Sequence, residues 1–268
     1  MANTIKIGNI EASAVMIGNS AVSAVYIGST KIYPSGPPDY SKQYLTFEVV
    51  NSGNVTITAS NTDVAKTIQY STDNGSTWTS LTTSTTAQEL GGTLNVGDKV
   101  LVKGTNTAYG TSSNYNRFGG TAKVNVYGNI MSLISGDNFA NNKTLTDSYT
   151  FYRLFTNTNL LSAENLILPA TTLASGCYNN MFRDCTSLTT APELPATKLA
   201  DRCYQYMFSG CRSLNYIKCL ATNISATNCT SNWVRGVAST GTFVKAASMT
   251  SWTTGVNGIP EGWTVVNE

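Results

Sequence analysis

The residues of this chain that could carry chemistry are six cysteines, one acidic turn and scattered carboxylates, and there is no histidine. The missing histidine removes the commonest general base, together with Ser-His and Cys-His nucleophile pairs. No Cys-x-x-Cys pair occurs, so a structural zinc site is not expected. We therefore predict no catalytic residue, no metal and no cofactor, and we expect a protein that is not an enzyme.

One acidic turn resembles the Asp box of glycan-acting propellers. Residues 71–78 fit Ser-x-Asp-x-Gly-x-Thr-Trp in a single copy, whereas a propeller would repeat the motif in each blade. Asp73, Asn74 and Gly75 suit a tight hairpin turn, with Trp78 packed beneath it. Glycoside hydrolysis also needs two carboxylates across a cleft, and no spacing in the sequence pairs them. The turn is predicted to be structural.

An internal repeat in the C-terminal half of the chain would position most of the cysteines. Residues 168–188 match residues 194–214 at a shift of 26, with thirteen of 21 positions identical. A further shift of 26 reaches Cys229 and Trp233, and a shift of 27 extends the match upstream. Stacked repeats bury a continuous core. We predict about four units over residues 128–268, each with one short helical turn and one strand.

Fixed positions of this repeat are assigned to the core, to a ligand face or to a cap. The predicted core comprises Cys177, Cys185, Cys203, Cys211, Met181, Phe182, Met207 and Phe208. The cysteines are expected to stack in columns as small buried hydrophobes, and disulfides between neighbouring turns remain an alternative. Arg202, Tyr204 and Tyr206 form the candidate ligand face, because repeat solenoids bind through extended faces. The expected cap of the open end consists of Trp233, Trp252 and Trp263.

The middle of the chain has the pattern of an all-β domain. Strand-like runs separated by Gly, Asn and Asp turns occupy residues 44–127, which predicts an immunoglobulin-like β-sandwich. The runs are 44–50, 54–59, 67–71, 77–81, 99–105 and 122–127. Because this stretch contains no cysteine, only the architecture of the immunoglobulin fold is expected.

The chain opens on three decapeptides in register. Their Ile-Gly pairs are Ile7-Gly8, Ile17-Gly18 and Ile27-Gly28. Each decapeptide predicts a short strand that ends at a glycine turn. Such strands are too short to build a core alone, so residues 1–34 are expected to need a partner surface or sister chains. A self-contained subdomain is the alternative. The proline-rich residues 35–43 predict a stiff linker.

Charge and hydropathy exclude several kinds of partner. The chain has 17 basic and 15 acidic residues, a net charge of +2, and only 12% charged residues. Nucleic acid held by many phosphate contacts is therefore not expected. The N-terminus lacks the pattern of a signal peptide, and no apolar run is long enough to span a bilayer. We expect synthesis in the cytoplasm of the cell that makes the protein, and no membrane insertion.

The repeat carries a resemblance to a known family. Its run Leu-Pro-Ala-Thr-x-Leu-Ala-x-x-Cys-Tyr-x-x-Met-Phe-x-x-Cys-x-Ser-Leu resembles the BspA-like leucine-rich repeat of Bacteroides surface proteins and of phages that infect these bacteria. The similarity extends over residues 44–268, including the closing residues 258–263. The decapeptides are similar, over a shorter stretch, to the start of phage structural proteins.

The resemblance implies a mainly β protein that ends in a short leucine-rich-repeat solenoid. It also implies a virion fibre or capsid-decorating protein, such as a head fibre of the crAss-like group. On that basis residues 1–34 would anchor a homotrimer to capsid or other virion proteins, and the repeats would adhere to host-surface polysaccharide or mucus glycan. A bacterial BspA-like adhesin, a tail-associated fibre and a glycan-acting enzyme are the alternatives.

Overall fold

The computed structural model describes residues 38–268 and, before them, the backbone of four short strands. β1 (Met16–Ile17) pairs antiparallel with β2 (Ser20–Ala21), and β3 (Val25–Ile27) pairs antiparallel with β4 (Thr30–Tyr33). These strands belong to one compact unit, Met1–Asp39, and the remainder, Tyr40–Glu268, forms a second one.

The predicted anchor residues fall only partly within this description. Ile17 is the last residue of β1 and Ile27 is the last residue of β3. Ile7, Gly8, Gly18 and Gly28 lie outside the described residues. The anchoring role of the decapeptides therefore stays a prediction.

The larger unit is mainly β, and its first half alternates buried and outward residues with the period of two that strands require. The strands are β5 (Leu45–Asn51), β6 (Thr56–Ala59), β7 (Thr67–Ser71), β8 (Thr79–Thr82), β9 (Gln88–Glu89), β10 (Lys99–Gly104), β11 (Asn116–Gly119) and β12 (Lys123–Asn129). Every run predicted between residues 44 and 127 contains a strand. β9 and β11 were not predicted.

These strands form two sheets with a core between them. The larger sheet has the order β13-β12-β5-β10-β7-β8, where β13 is Leu160–Ser162, and β14 (Leu166–Ile167) also pairs with β12. The smaller sheet has the order β11-β6-β9. Phe47 of β5 and Phe118 of β11 meet between the sheets with ring centroids 4.8 Å apart.

Strand β12 belongs to both halves of the larger unit. It pairs antiparallel with β5 on one side and parallel with β13 and β14 on the other. The buried residues form a single cluster that runs from Leu45 to Trp263. The predicted division between residues 127 and 128 is corrected accordingly, because it would cut through β12 and through one hydrophobic core.

The predicted linker 35–43 also ends earlier than expected. Tyr40–Lys42 forms a 3-10 turn, and the backbone amide of Asn129 donates a hydrogen bond to the carbonyl of Gln43. Residues 40–43 are thus part of the larger unit. After β12 the chain forms a single-turn helix, α1 (Ser132–Ser135), and then the 3-10 helix Gly136–Asn141.

The repeats stack through four turn segments, which we define as residues 149–157, 176–184, 202–210 and 228–236. Alternate backbone amides donate to the next segment, as Tyr178 does to the carbonyl of Cys203 and Phe182 to that of Met207. The amides between them close tight turns, as Met181 does on Tyr178. The expected helical turn of each unit is corrected, because these lateral bonds take the donors that a helix would use.

A backbone with positive φ recurs at every fourth residue of these segments. The residues are Tyr149, Arg153, Asn157, Gly176, Asn180, Asp184, Arg202, Tyr206, Gly210, Asn228, Asn232 and Gly236. Equivalent positions in successive segments are 27, 26 and 26 residues apart, which confirms the predicted repeat register. In the central segments the two residues after each such position are mostly buried. This geometry explains why Cys-Tyr and Met-Phe pairs recur four residues apart.

The units end in a parallel sheet. Its strands, β15 (Tyr216–Cys219), β16 (Thr242–Lys245) and β17 (Thr264–Asn267), lie in register. Two columns of aromatic rings run through the core beside the turn segments. One column contains Tyr109, Phe151, Tyr178, Tyr204 and Trp233, and the other contains Phe118, Phe155, Phe182 and Phe208.

The predicted tryptophan cap is confirmed as packing. Trp252 stacks on Trp233 with centroids 5.5 Å apart and an interplanar angle of 10°. Trp233 Nε1–H donates to the carbonyl of Gly258, and Trp263 Nε1–H donates to that of Ala238, both at 2.8 Å. These bonds fix the last unit over the end of the aromatic columns.

Candidate functional site

Each turn segment carries one pair of side chains at its central positive-φ position. We define the turn face as the central positive-φ residue of each segment together with the residue before it. Its members are Tyr152, Arg153, Asn179, Asn180, Gln205, Tyr206, Ser231 and Asn232. Tyr152, Asn179 and Asn180 are buried, whereas the other five members are half-buried. The accessible part of the turn face therefore lies in its first, third and fourth segments.

Amide side chains link the middle of the turn face. Asn180 Nδ2 donates to Asn179 Oδ1, and Asn179 Nδ2 donates to Gln205 Oε1 at 3.0 Å. At the far end, Asn232 Nδ2 donates to Ser231 Oγ at 3.3 Å. Asn179 and Asn180 are buried, so the neutral donors and acceptors that a hydroxyl-rich ligand could meet here are those of Gln205, Ser231 and Asn232.

Arginines lie over tyrosine rings at two places on or beside this face. The guanidinium of Arg153 lies 5.2 Å from the ring of Tyr115 and 5.5 Å from that of Tyr152. The guanidinium of Arg183 lies 5.6 Å from the ring of Tyr206. All three distances are within cation–π range.

The three residues of the predicted ligand face do not share one surface. Tyr206 belongs to the turn face, and Arg202 is exposed one turn away, at the first positive-φ position of its segment. Tyr204 is 1% exposed and stacks between Tyr178 and Trp233. It follows a positive-φ residue by two positions and therefore points inward, so Tyr204 is reassigned to the core.

Sequence reasoning missed the first segment of the turn face and the loop beside it. The first segment contains Tyr149, Tyr152 and Arg153. It aligns with the second segment at a shift of 27, but few residues of the two segments are identical. Tyr115 comes from the β-sheet half. Only the fold brings it to the repeats, so no local pattern could have placed it there.

The predicted repeat core is confirmed as buried. Cys177, Cys185, Cys203, Cys211, Met181, Phe182, Met207 and Phe208 are all 0% exposed. All six cysteines are free thiols. Cys185 Sγ donates to the carbonyl of Phe155 and Cys211 Sγ donates to that of Phe182, each at 2.9 Å. Each of these thiols therefore fills space in the core and also satisfies a backbone carbonyl of the preceding unit.

Burial also sets the chemistry of the thiols. Desolvation raises the pKa of Cys185 and of Cys219 to about 12. The same cause raises the pKa of Cys177, Cys203 and Cys211. A thiol that stays protonated is a poor nucleophile and a poor metal ligand, so these side chains act as packing groups.

The acidic turn is closed on itself, as the structural prediction requires. Asp73 Oδ1 accepts from the backbone amide of Thr77 at 2.9 Å and from Ser71 Oγ at 2.7 Å, and Thr77 Oγ1 donates to Oδ2 at 2.7 Å. These donors, the Thr77 amide above all, lower the pKa of Asp73 to about 2. Asn74 and Gly75 have φ of 57° and 89°, as a tight hairpin turn demands.

The carboxylates of the repeats have structural partners. Arg183 Nε lies 3.4 Å from Asp184 Oδ2, and Lys218 Nζ lies 3.0 Å from Glu193 Oε2. Asp201 Oδ1 accepts from the backbone amide of Thr227 at 2.8 Å. Within residues 38–268, no group of three or more Cys, Asp or Glu side chains is arranged to hold a metal ion.

Comparison with known proteins gives no match to a family model, to a curated protein or to a solved structure. In the part of the chain that the structure describes, no helix is long and apolar enough to cross a membrane.

Proposed function

We propose that the protein is a non-enzymatic virion structural protein, a head fibre or decoration protein, that adheres to glycans through its repeats. In this proposal residues 1–34 anchor it to capsid or other virion proteins. The observation that carries the proposal is the turn face, whose half-buried members are Arg153, Gln205, Tyr206, Ser231 and Asn232 from three of the four stacked segments. Extended faces of this kind are the usual binding surfaces of stacked-repeat proteins.

The proposal also assigns specific folds to the two halves of the mainly β chain. The 26-residue register, the parallel strands and the BspA-like motif together support a short leucine-rich-repeat solenoid for the C-terminal half. The two packed sheets and their turn chemistry support an immunoglobulin-like sandwich for residues 44–127. The sandwich closes one end of the solenoid, since the amide of Phe118 donates to the carbonyl of Leu154 at 2.8 Å.

Weak adhesion becomes useful when many copies share one particle. Linked binding sites act at a high effective concentration, so poor single-site affinity becomes retention at a surface. A neutral face with many hydrogen-bonding groups fits host-surface polysaccharide or mucus glycan. A homotrimer, anchored by the paired strands of the N-terminal unit, would multiply the sites further.

The anchor is tested by comparing the full chain with a variant that lacks residues 1–38. Light scattering gives the oligomeric state, and pull-down from disrupted particles gives the partner. We expect a trimer that captures a capsid protein, and loss of capture in the shortened variant. If the full chain and the shortened variant are both monomeric and neither captures a virion protein, the anchoring role is contradicted and a free-standing adhesin is favoured.

The adhesive role is tested by retention of the full chain on immobilised host-surface polysaccharide. Gln205→Ala with Tyr206→Gly removes two side chains of the turn face, and glycine keeps the positive φ that residue 206 requires. We expect at least a severalfold weaker retention. The matched control is Thr240→Ala, an exposed position away from the turn segments. Equal retention by all three proteins would contradict the role of the turn face.

A further inference from the structure

One cation on the turn face has no counter-charge. Arg153 Nε is buried and has no hydrogen-bond partner, and no carboxylate of residues 38–268 lies within 4 Å of its guanidinium. Leaving a buried donor unsatisfied carries a free-energy cost. Because Nε is closed off from solvent, an anion would meet the outer Nη1 and Nη2 groups of this half-buried side chain, for which residues 38–268 provide no hydrogen bond or ion pair.

The contrast with Arg183 is informative, because both arginines lie over tyrosines. Arg183 is paired with Asp184 at 3.4 Å, and its Nη1 donates to Asn180 Oδ1 at 3.3 Å. Arg153 lies over two rings instead of one and has no such partners. The same residue type is thus satisfied within the chain at one position and left open at the other.

The surroundings of Arg153 are held in place before any ligand binds. Tyr115 exchanges two hydrogen bonds with Ser60, one from its own amide to Ser60 Oγ and one from the amide of Ser60, each at 2.8 Å. Gly110 lets this loop approach the turn segment, because a Cβ there would stand 2.8 Å from Tyr152 Cβ. The cage is therefore preorganised, which reduces the entropic cost of binding.

We propose that Arg153, caged by Tyr115 and Tyr152, binds the carboxylate of an acidic sugar residue, such as a hexuronic acid, within the glycan that the turn face contacts. A guanidinium pairs with a carboxylate through two parallel hydrogen bonds. Tyr149, half-buried and edge-on to Tyr152 at 5.6 Å, adds an aromatic surface beside it. The neutral amides of the face would serve the neighbouring hydroxyls. The inference rests on the proposed adhesive function.

The test is isothermal titration of the full chain with trigalacturonate, with maltotriose as the uncharged sugar and triglutamate as the carboxylate without a sugar ring. Arg153→Asn removes the guanidinium and suits the positive φ of 56°, because asparagine tolerates that region. Arg153→Lys keeps the charge and loses the planar fork. Arg212→Gln is the matched control, because Arg212 is exposed and lies outside the turn segments. Circular dichroism confirms that each variant folds.

We expect trigalacturonate to bind the wild type and to bind Arg153→Asn at least about tenfold more weakly, as loss of a charge-assisted pair predicts. Arg153→Lys should be intermediate, and Arg212→Gln should bind as the wild type does. Three results would overturn the inference: no binding of trigalacturonate, equal binding by Arg153→Asn, or triglutamate binding as tightly as trigalacturonate. Retention on neutral polysaccharide that depends on Gln205 and Tyr206 would then leave the proposed adhesive function standing.

Discussion

The ring of Tyr204 stacks on the indole of Trp233, with centroids 6.3 Å apart and an interplanar angle of 17°. Trp233 also contacts Phe208 of the second aromatic column at 6.2 Å. One large ring system thus contacts the last rings of both columns, and Trp252 stacks on it in turn with centroids 5.5 Å apart. The stack of repeats is closed by tryptophan side chains rather than by a separate domain.

Replacement of Trp233 should therefore destabilise the whole larger unit. Trp233→Ala is expected to cost about 3–5 kcal/mol of unfolding free energy, and Trp233→Phe is expected to cost less because it keeps one ring. Urea unfolding followed by circular dichroism measures both. Trp78→Phe, at a half-buried position in the β-sheet half, is the matched control. A loss below about 1 kcal/mol for Trp233→Ala would contradict the capping role.

The repeat register could be predicted from the sequence, but the backbone of each unit could not. Identical residues 26 positions apart report stacking directly. Within a unit, Gly176 and Asn180 suggest positive φ, whereas Arg202 and Tyr206 occupy the same backbone conformation and are residue types that rarely adopt it. Their geometry is imposed by hydrogen bonds to the neighbouring segments. Tyr204 was assigned to the surface because that constraint is invisible in a single unit.

The division of the chain at residue 128 was wrong for a similar reason. The composition changes there, yet β12 pairs with strands on both sides of the change. Phe155, from the first turn segment, packs on Phe47 and Phe118 of the sheets. Long-range packing of this kind leaves no local signal, and the Arg153 cage depends on it as well.

The buried thiols predict a loss of stability in alkali. An unfolded thiol has a pKa of about 8.5, whereas the pKa of Cys185 and of Cys219 is about 12 in the folded protein. Above pH ~8.5 the unfolded state releases protons that the folded state keeps, so stability present below that pH falls as the pH rises. The slope is about 1.4 kcal/mol per pH unit for each such thiol.

Urea unfolding at several pH values between neutral and about pH 10 measures this slope. Cys185→Ala should reduce it by the share of one thiol, although that variant also loses the bond to the carbonyl of Phe155. Alkylation with iodoacetamide gives an independent measurement. Rapid labelling of all six cysteines in the native protein would contradict their burial.

The acidic turn should weaken when the Asp73 carboxylate is lost. Its pKa, lowered to about 2 by the Thr77 amide and by the Ser71 and Thr77 hydroxyls, means that its contribution is present above pH ~3.9 and is lost as the pH falls through about 2. Asp73→Asn should speed amide exchange at Thr77 at neutral pH and change the fluorescence of Trp78. Asp98→Asn, in another exposed turn, is the control. Unchanged exchange at Thr77 would contradict the closed turn.

Two glycines of the turn segments allow the backbone strain of positive φ to be separated from the steric clash with a neighbouring side chain. Gly176 and Gly236 have φ of 63° and 73°, so alanine at either position should cost about 1–2 kcal/mol of backbone strain. A Cβ at Gly236 meets nothing closer than 3.9 Å, whereas a Cβ at Gly176 would stand 2.5 Å from the ring of Tyr149. Gly176→Ala should therefore be the more destabilising variant.

The excess comes from one ring, so removal of that ring should recover it. Tyr149 itself has φ of 58°, and Tyr149→Gly satisfies that backbone conformation. In urea unfolding, Gly176→Ala with Tyr149→Gly should lose no more stability than the sum of Gly236→Ala and Tyr149→Gly. If the double variant keeps the full excess loss of stability, the strain lies in the backbone of the segment and not in the contact with the Tyr149 ring. The recurrence of positive φ at every fourth residue would then need an explanation other than side-chain direction.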